Sequence, residues 1–418
     1  MNIIVIGAGL IGTSSAYFLA RAGHRVTVLE RGLEPASETS FANGGLLTPS
    51  LSDPWNAPGV AARMLKWVGR EDSPLLLRLK ALPSLAFWGL SFLANSTPAR
   101  FERNMAANSA LSFYNLDVMD TLLAEEALDF DYQTTGTIKV TRDPVSLDQS
   151  RRLADAMAPL GVVFEALDAD AVVKHEPALA PLRSSLAGGL RFPQDRSGDA
   201  AKFTRSLARA AEVRGVRFEY AVSVEDFVNE GGAVKAARTS VGDYAGDAFV
   251  LATGSHAPRL ARKLGFSVPV RPAKGYSCTL STRGWNAVPR IPVLDDDLHA
   301  VATPLGDRLR LAGTAEFAGY DSQIRISRIE NLLKFFRATF PDLADRVNGA
   351  EINEWTGFRP MSSDGVAHIG QSRRENVFIN TGHGHLGWTQ AAASGRLLAD
   401  IVSGTTPALD PLPFRPGR

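Results

Sequence analysis

The sequence predicts an α/β fold, α+β overall, in which a parallel sheet is assembled from segments far apart in the chain. Two observations predict it. From Asn2 to Glu30 the chain reads strand, glycine turn, helix, strand, whereas the next buried-type strand of the same kind, "DAFVLATGS", arrives only at 247–255. Between them lie "ETSFANGGLLTPS" from Glu38, a long helical stretch and the strand-like "TGTIKVTRD" from Thr135.

The N-terminal unit justifies itself element by element. Asn2 to Ile6 is a short apolar run of buried-strand type, followed by Gly7, Gly9 and Gly12 in a GxGxxG pattern that encloses Ile11. Ser14 to Ala22 has helical apolar spacing, and Arg25 to Leu29 reads as a second strand ending at Glu30. The glycines allow a tight turn, close approach of backbone to a pyrophosphate and close helix-to-strand packing, with the phosphates at the helix N-terminus. Glu30 stands where a carboxylate accepts hydrogen bonds from ribose hydroxyls, and it disfavours a 2′-phosphate even with Arg31 adjacent. The motif therefore predicts a dinucleotide site and argues against NADP.

Choosing between FAD and NAD needs the rest of the chain. NAD dehydrogenases alternate helices and strands closely after the first turn, whereas this chain returns to its sheet only at Val250, Leu251 and Ala252, with Thr253 and Gly254 as the turn. A single GxGxxG leaves no second site for a nicotinamide. FAD is the expected cofactor, with electrons drawn from an organic substrate.

Composition narrows the partners. The chain has 418 residues, 45 Lys plus Arg against 44 Asp plus Glu and a formal net charge of +1, so no bulk field recruits nucleic acid. One cysteine, Cys278, excludes an internal disulfide and a cysteine-held cluster and fits a reducing, cytoplasmic compartment. The apolar stretch 73–94, "SPLLLRLKALPSLAFWGLSFLA", is interrupted by Arg78, Lys80 and Pro83 and is too broken to span a bilayer. It is expected either to lie on the inner membrane through Leu85, Trp88 and Phe92, with Arg78 or Lys80 close by, or to pack on the protein's own core.

Six stretches, "ETSFANGG", "GGLRFPQDRSGDAAKFTRSLA", "RPAKGYS", "LAGTAEFAGYD", "WTGFRPMSSDG" and "NTGHGHLGWT", occur in that order along nearly the whole chain. Together they resemble the bacterial FAD-dependent D-amino acid dehydrogenases, within the larger family of D-amino acid oxidase and glycine oxidase. The resemblance implies a Rossmann-like FAD-binding domain in discontinuous pieces and a substrate domain with an antiparallel sheet over the flavin. It also implies that Ser40, Asn43, Gly44, Gly45 and Leu46 wrap the flavin and that the backbone of Val224 holds the adenine. The plainer alternatives are a turn at Gly44 and Gly45 and simple core at Val224. With the proline breaks near Pro83, Pro269 and Pro341, the expected division is 1–55, 150–262 and 350–418 for FAD, and 56–149 and 263–349 for substrate.

In "VFINTGHGHLGWTQAAASG" the glycines separate a strand, Val377 to Ile379, from an amphipathic helix expected at Thr389 to Ile401. Gly384, Leu386, Gly387, Trp388 and Thr389 would bring backbone donors to the flavin edge, where reduction places negative charge. No further ligands accompany His383 and His385, so a metal site is not expected. His385 stands where the resembled dehydrogenases carry a small hydroxyl residue, and it would either lend positive charge to a substrate carboxylate or point into the domain interface. Arg359 of "GFRP" matches the family's carboxylate clamp; its planar fork pairs bidentately and stays charged. Tyr276 and Tyr320 are candidates for the pocket wall, with core tyrosine as the alternative, and Lys274 for a cation that helps reduce oxygen, with a surface lysine as the alternative. Cys278 is not placed for a covalent flavin link, so the FAD is expected to be non-covalent.

The expected chemistry is hydride transfer from the α-carbon of a D-amino acid to flavin N5, giving a 2-oxo acid and ammonia, with electrons passed to a quinone or other carrier. Two further readings stand beside it: an oxygen-using oxidase of glycine, sarcosine or another secondary amine, and a flavin-binding protein without turnover.

Overall fold

A computed structural model of the chain describes residues 1–67, 71, 73 and 75–418. Pro74, inside the apolar stretch discussed above, lies outside the described residues.

Short β-branched runs flanked by glycine make a central six-stranded sheet in the order 368–371, 377–381, 248–251, 2–6, 25–29 and 217–219. Its neighbours are parallel except at 368–371. Asn2–Ile6 sits between Arg25–Leu29 and Ala248–Leu251, pairing Ile4 with both Thr27 and Phe249. Strands buried on both faces read as continuous apolar runs, and Ile3, Ile4, Val5 and Ile6 are all buried. The helix Leu10–Arg21 crosses Ala391–Ser403 closely at Gly395, where a Cβ would stand 2.6 Å from the Ser14 carbonyl carbon.

A second sheet, nine-stranded among the described residues, carries the long strands Ile352–Ser362, Val270–Ser281 and Arg308–Phe317 side by side and antiparallel. On Val270–Ser281 the side chains alternate. Tyr276, Cys278 and Leu280 pack with Ile329, Leu332 and Phe336 of the helix Ile326–Thr339. Ser277 turns the other way, where its hydroxyl donates to the Ala42 carbonyl at 2.6 Å. The cavity described below lies on that side.

One expected boundary changes here, and two further expectations meet the strand and helix packing. Glu165–Leu167 and Gly188–Phe192, from the segment grouped with the FAD part, pair into the large sheet, and so does Ile352–Ser362. A run such as "GGLRF" says that a strand exists but not which sheet it joins. The C-terminal helix begins at Ala391 rather than Thr389, after a single 3-10 turn at Gly384–Leu386. Finally, Leu85, Trp88 and Phe92 of the helix Leu82–Ala94 are buried against Ala273, Phe317 and Met361, so they are not a membrane-facing side. No helix among the described residues is long and apolar enough to cross a membrane.

Candidate active site

The two sheets enclose a cavity of about 780 Å³ that runs from the N-terminal glycine turn to Arg359. Of the residues expected at the cofactor, Gly7, Gly9, Ile11, Glu30, Arg31, Ser40, Asn43, Gly44, Gly45, Leu46, Val224, Thr253, Gly254, Gly384, Leu386, Gly387, Trp388 and Thr389 line it. Gly12 does not, because it is packed behind the turn: a Cβ there would stand 1.8 Å from the Gly7 carbonyl oxygen. Gly7 has φ +102, which only glycine adopts without strain.

The polar groups at this end suit a dinucleotide. Glu30 accepts from the Ala8 and Gly32 N–H groups, each at 2.7 Å, and its oxygens keep lone pairs for further donors. The Ser40 hydroxyl accepts from the Leu10 N–H at 3.0 Å, at the start of the first helix. Arg31 is held by Glu38 and lies 2.9 Å from His256 Nε2, which fixes its guanidinium at the cavity wall. Four buried atoms of cavity-lining residues, Thr253 Oγ1, Asn380 Oδ1 and both ring nitrogens of His383, have no partner among the described residues. Buried polar atoms are rarely left so, and a bound cofactor with polar edges would satisfy them. Burial pulls the His383 pKa down to about 3, so its ring is neutral and offers one donor and one acceptor.

The segment 42–45 is clamped from the large sheet. Ser277 Oγ, Arg310 Nη1 and Thr303 Oγ1 donate in turn to the carbonyls of Ala42, Asn43 and Gly44, at 2.6, 2.9 and 2.7 Å. Arg310 is buried, which lowers its pKa to about 10, and Asp199 lies 3.7 Å away as its counter-charge. Sequence reading did not single out this clamp, because its three donors come from three different strands.

Arg359 forms the other end. It shares one face of its strand with Trp355 and Gly357, and its guanidinium lies above Gly275 of the neighbouring strand, where a Cβ would stand 2.3 Å from Nη1. Among the described residues no carboxylate pairs with it; its contacts are the Thr314 carbonyl at 3.4 Å and the Trp55 ring at 5.9 Å. Burial without a paired anion lowers its pKa to about 10. An unpaired guanidinium aimed into a cavity is poised to take an anion, and a carboxylate matches its fork. Thr314, whose carbonyl it touches, is a bulge residue with φ +51, a strained position for a β-branched side chain.

The remaining candidates are placed differently from one another. His385 lines the cavity and stacks on Trp55 with centroids 5.5 Å apart. Its Nε2 stands 3.0 Å from the Leu51 carbonyl, so that nitrogen carries the proton. Burial lowers the His385 pKa, opposed by Asp53, and favours a neutral ring over the positive charge that one of its two expected roles requires. Tyr276 has its ring in the core, its hydroxyl donates to Glu316 at 2.7 Å, and it reaches the cavity wall beside Gly275. Tyr320 is outside the cavity lining: it is 50% exposed, stacks on His256 at 5.0 Å and donates to the Ser255 carbonyl. Lys274 is fully buried, 3.2 Å from Glu316 and bonded to the Gln323 carbonyl, so it is neither at the cavity nor on the surface. Trp55, Trp355, Gly275 and Gly357 went unnoticed in the sequence; the every-second-residue pattern 355, 357, 359 was the available signal.

Two consequences can be measured. Gly275→Ala displaces the Arg359 guanidinium and is expected to raise KM for a carboxylate substrate by about tenfold or more while flavin content stays unchanged, read by steady-state kinetics and absorbance. Because Arg359 is a cation only below its pKa of about 10, affinity for a 2-oxo acid is expected to be level up to about that pH. Above it, affinity should fall by about tenfold per pH unit, measured by flavin-monitored titration.

Comparison with known proteins agrees with this geometry. The family profile described as DAO, FAD dependent oxidoreductase, matches residues 2–401. The chain is 40% identical to a D-amino acid dehydrogenase of Xanthobacter autotrophicus over 414 residues, 98% of this chain and 97% of that protein. It is 42% identical to one of Paramagnetospirillum magneticum over 410 residues, 98% and 96% of the two chains. Among solved structures, glycine oxidase from Geobacillus kaustophilus superposes with a TM-score of 0.76 at 24% identity, covering 100% and 98% of the two chains. L-proline dehydrogenase from P. horikoshii gives 0.76 at 18%, covering 99% and 96%. The glycine turn, the clamped 42–45 segment and a full-length match thus converge, and the chain belongs to the FAD-dependent oxidoreductase family.

Proposed function

We propose that the protein is a dehydrogenase of D-amino acids, releasing a 2-oxo acid and ammonia. The observation that carries this reading is Arg359, a half-buried guanidinium at the end of the FAD cavity that no carboxylate among the described residues pairs with. FAD, when bound, supplies the hydride acceptor at N5. Arg359 holds the substrate carboxylate in bidentate fashion, and Gly275 leaves room for its guanidinium. The Trp355 ring, folded over Gly357, walls the site against water. His385 is tied to Leu51 through Nε2, and burial lowers its pKa and makes it a weak base, so the proposed catalysis rests on orientation of a substrate whose amine is already neutral.

The identity of the curated relatives supports the D-amino acid class, and Lys274 supports a carrier over oxygen. Its ammonium is sequestered by Glu316, so it offers no charge to oxygen at a flavin. Lys139, which does line the cavity, is paired with Asp296 at 2.9 Å. We assign the electrons to a quinone or comparable carrier, and the protein to the cytoplasmic side with peripheral membrane contact. Large-sheet membership also favours placing 137–192 and 352–362 in the substrate-binding part. Turnover of D-alanine with an artificial dye acceptor, releasing pyruvate and ammonia without peroxide, is the expected result. Peroxide formed at the rate of turnover would make the protein an oxidase.

A further inference from the structure

The helix Leu82–Ala94 is apolar all the way round. One side, Leu85, Trp88 and Phe92, is buried, and Trp88 Nε1 donates to the Met361 carbonyl at 3.1 Å while Ser91 bonds Ser363 at 2.9 Å. The helix is thereby fixed to the strand that carries Arg359. Among the described residues its other side faces out with no polar cover: Phe87 is 87% exposed and Leu90 66%, flanked by Leu82 and Leu93, with Leu79 at 69% just ahead of the helix. A helix apolar on every side is ordinarily enclosed by protein or lipid, and contiguous apolar surface of this kind marks an interaction site.

The charges around the patch indicate what covers it. From Leu75 to Phe101 the sequence holds no Asp or Glu. Exposed Lys80 stands at the N-terminal end of the patch, Arg271 donates to the Ser84 carbonyl at its flank, and Arg100 donates to the Ala94 carbonyl at its C-terminal end. Among the described residues none of the three pairs with a carboxylate. A second copy of the chain on this face would bring two such collars together, like against like. An anionic lipid surface satisfies both features, its acyl region taking Phe87 and Leu90 and its headgroups the three cations.

We propose that this face, and not the Leu85–Trp88–Phe92 side, seats the protein on an anionic bilayer, with Phe87 and Leu90 as the inserted residues. The proposal rests on the reading of a carrier-linked dehydrogenase but is tested apart from it. The full FAD-loaded chain is floated with phosphatidylcholine vesicles that contain phosphatidylglycerol, and with phosphatidylcholine alone. Binding to the anionic vesicles that weakens with salt is expected. Phe87→Ser with Leu90→Ser should lower it by about tenfold or more, with flavin content and dye-linked turnover in solution unchanged. Three results would overturn the proposal: no vesicle binding, binding that the double variant retains, or a wild-type dimer that the double variant dissociates without any vesicle binding. Dye-linked turnover failing while vesicles still bind would instead count against the proposed substrate.

Discussion

Arg359→Ala is expected to lower kcat/KM for a D-amino acid by about 30- to 3,000-fold, the range that follows from truncating one partner of a buried, hydrogen-bonded charge pair. The free enzyme gives the control. With no carboxylate among the described residues paired to Arg359, its removal takes away an unpaired, desolvated charge, so melting temperature should hold or rise. A structural ion pair would behave oppositely, losing stability with activity. Arg359→Lys keeps the charge but not the planar fork, and should recover only part of the loss. Steady-state kinetics with calorimetry separates these outcomes.

The other large effect is at the opposite end of the cavity. Gly12→Ala places a methyl group 1.8 Å from the Gly7 carbonyl oxygen, and backbone cannot yield as a flexible side chain can. The first helix must move away from the first strand, taking with it the N-terminal N–H groups and the Leu10 N–H to Ser40 contact that shape the phosphate end. The variant is expected to purify without its yellow colour and to bind added FAD about 100-fold more weakly or not at all. The ratio of flavin to protein absorbance measures this. Flavin retained at the wild-type ratio would mean that the turn tolerates the shift.

These two residues also show where sequence reading succeeds. Gly12 belongs to a local pattern in which strand, turn, helix and acidic residue follow in fixed order, so its role is legible without any long-range knowledge. Arg359 was found by resemblance, but what makes it a poised cation was not visible. The missing counter-charge and the space above Gly275 depend on a strand some eighty residues away, paired Ala273 to Arg359. For Tyr276 the sequence left pocket wall and core as alternatives but held a further signal: in "KGYSCTLS" the polar Ser277 and Thr279 alternate with Tyr276, Cys278 and Leu280, which puts the tyrosine ring on the core side. Tyr320 lies just beyond the last long strand before the Ile326 helix, where nothing local tells which way a side chain turns. The Leu82–Ala94 helix illustrates the same limit, since apolar spacing on all sides cannot say which side is covered.

The account stands most directly on the visible spectrum of the purified protein under anaerobic conditions, before and after addition of D- and L-amino acids. It predicts a flavin band that bleaches with D-amino acids and not with their L-enantiomers, and that no longer bleaches at comparable concentrations in Arg359→Ala. A flavin band that persists with every D-amino acid, or that bleaches equally with L-amino acids, would contradict it.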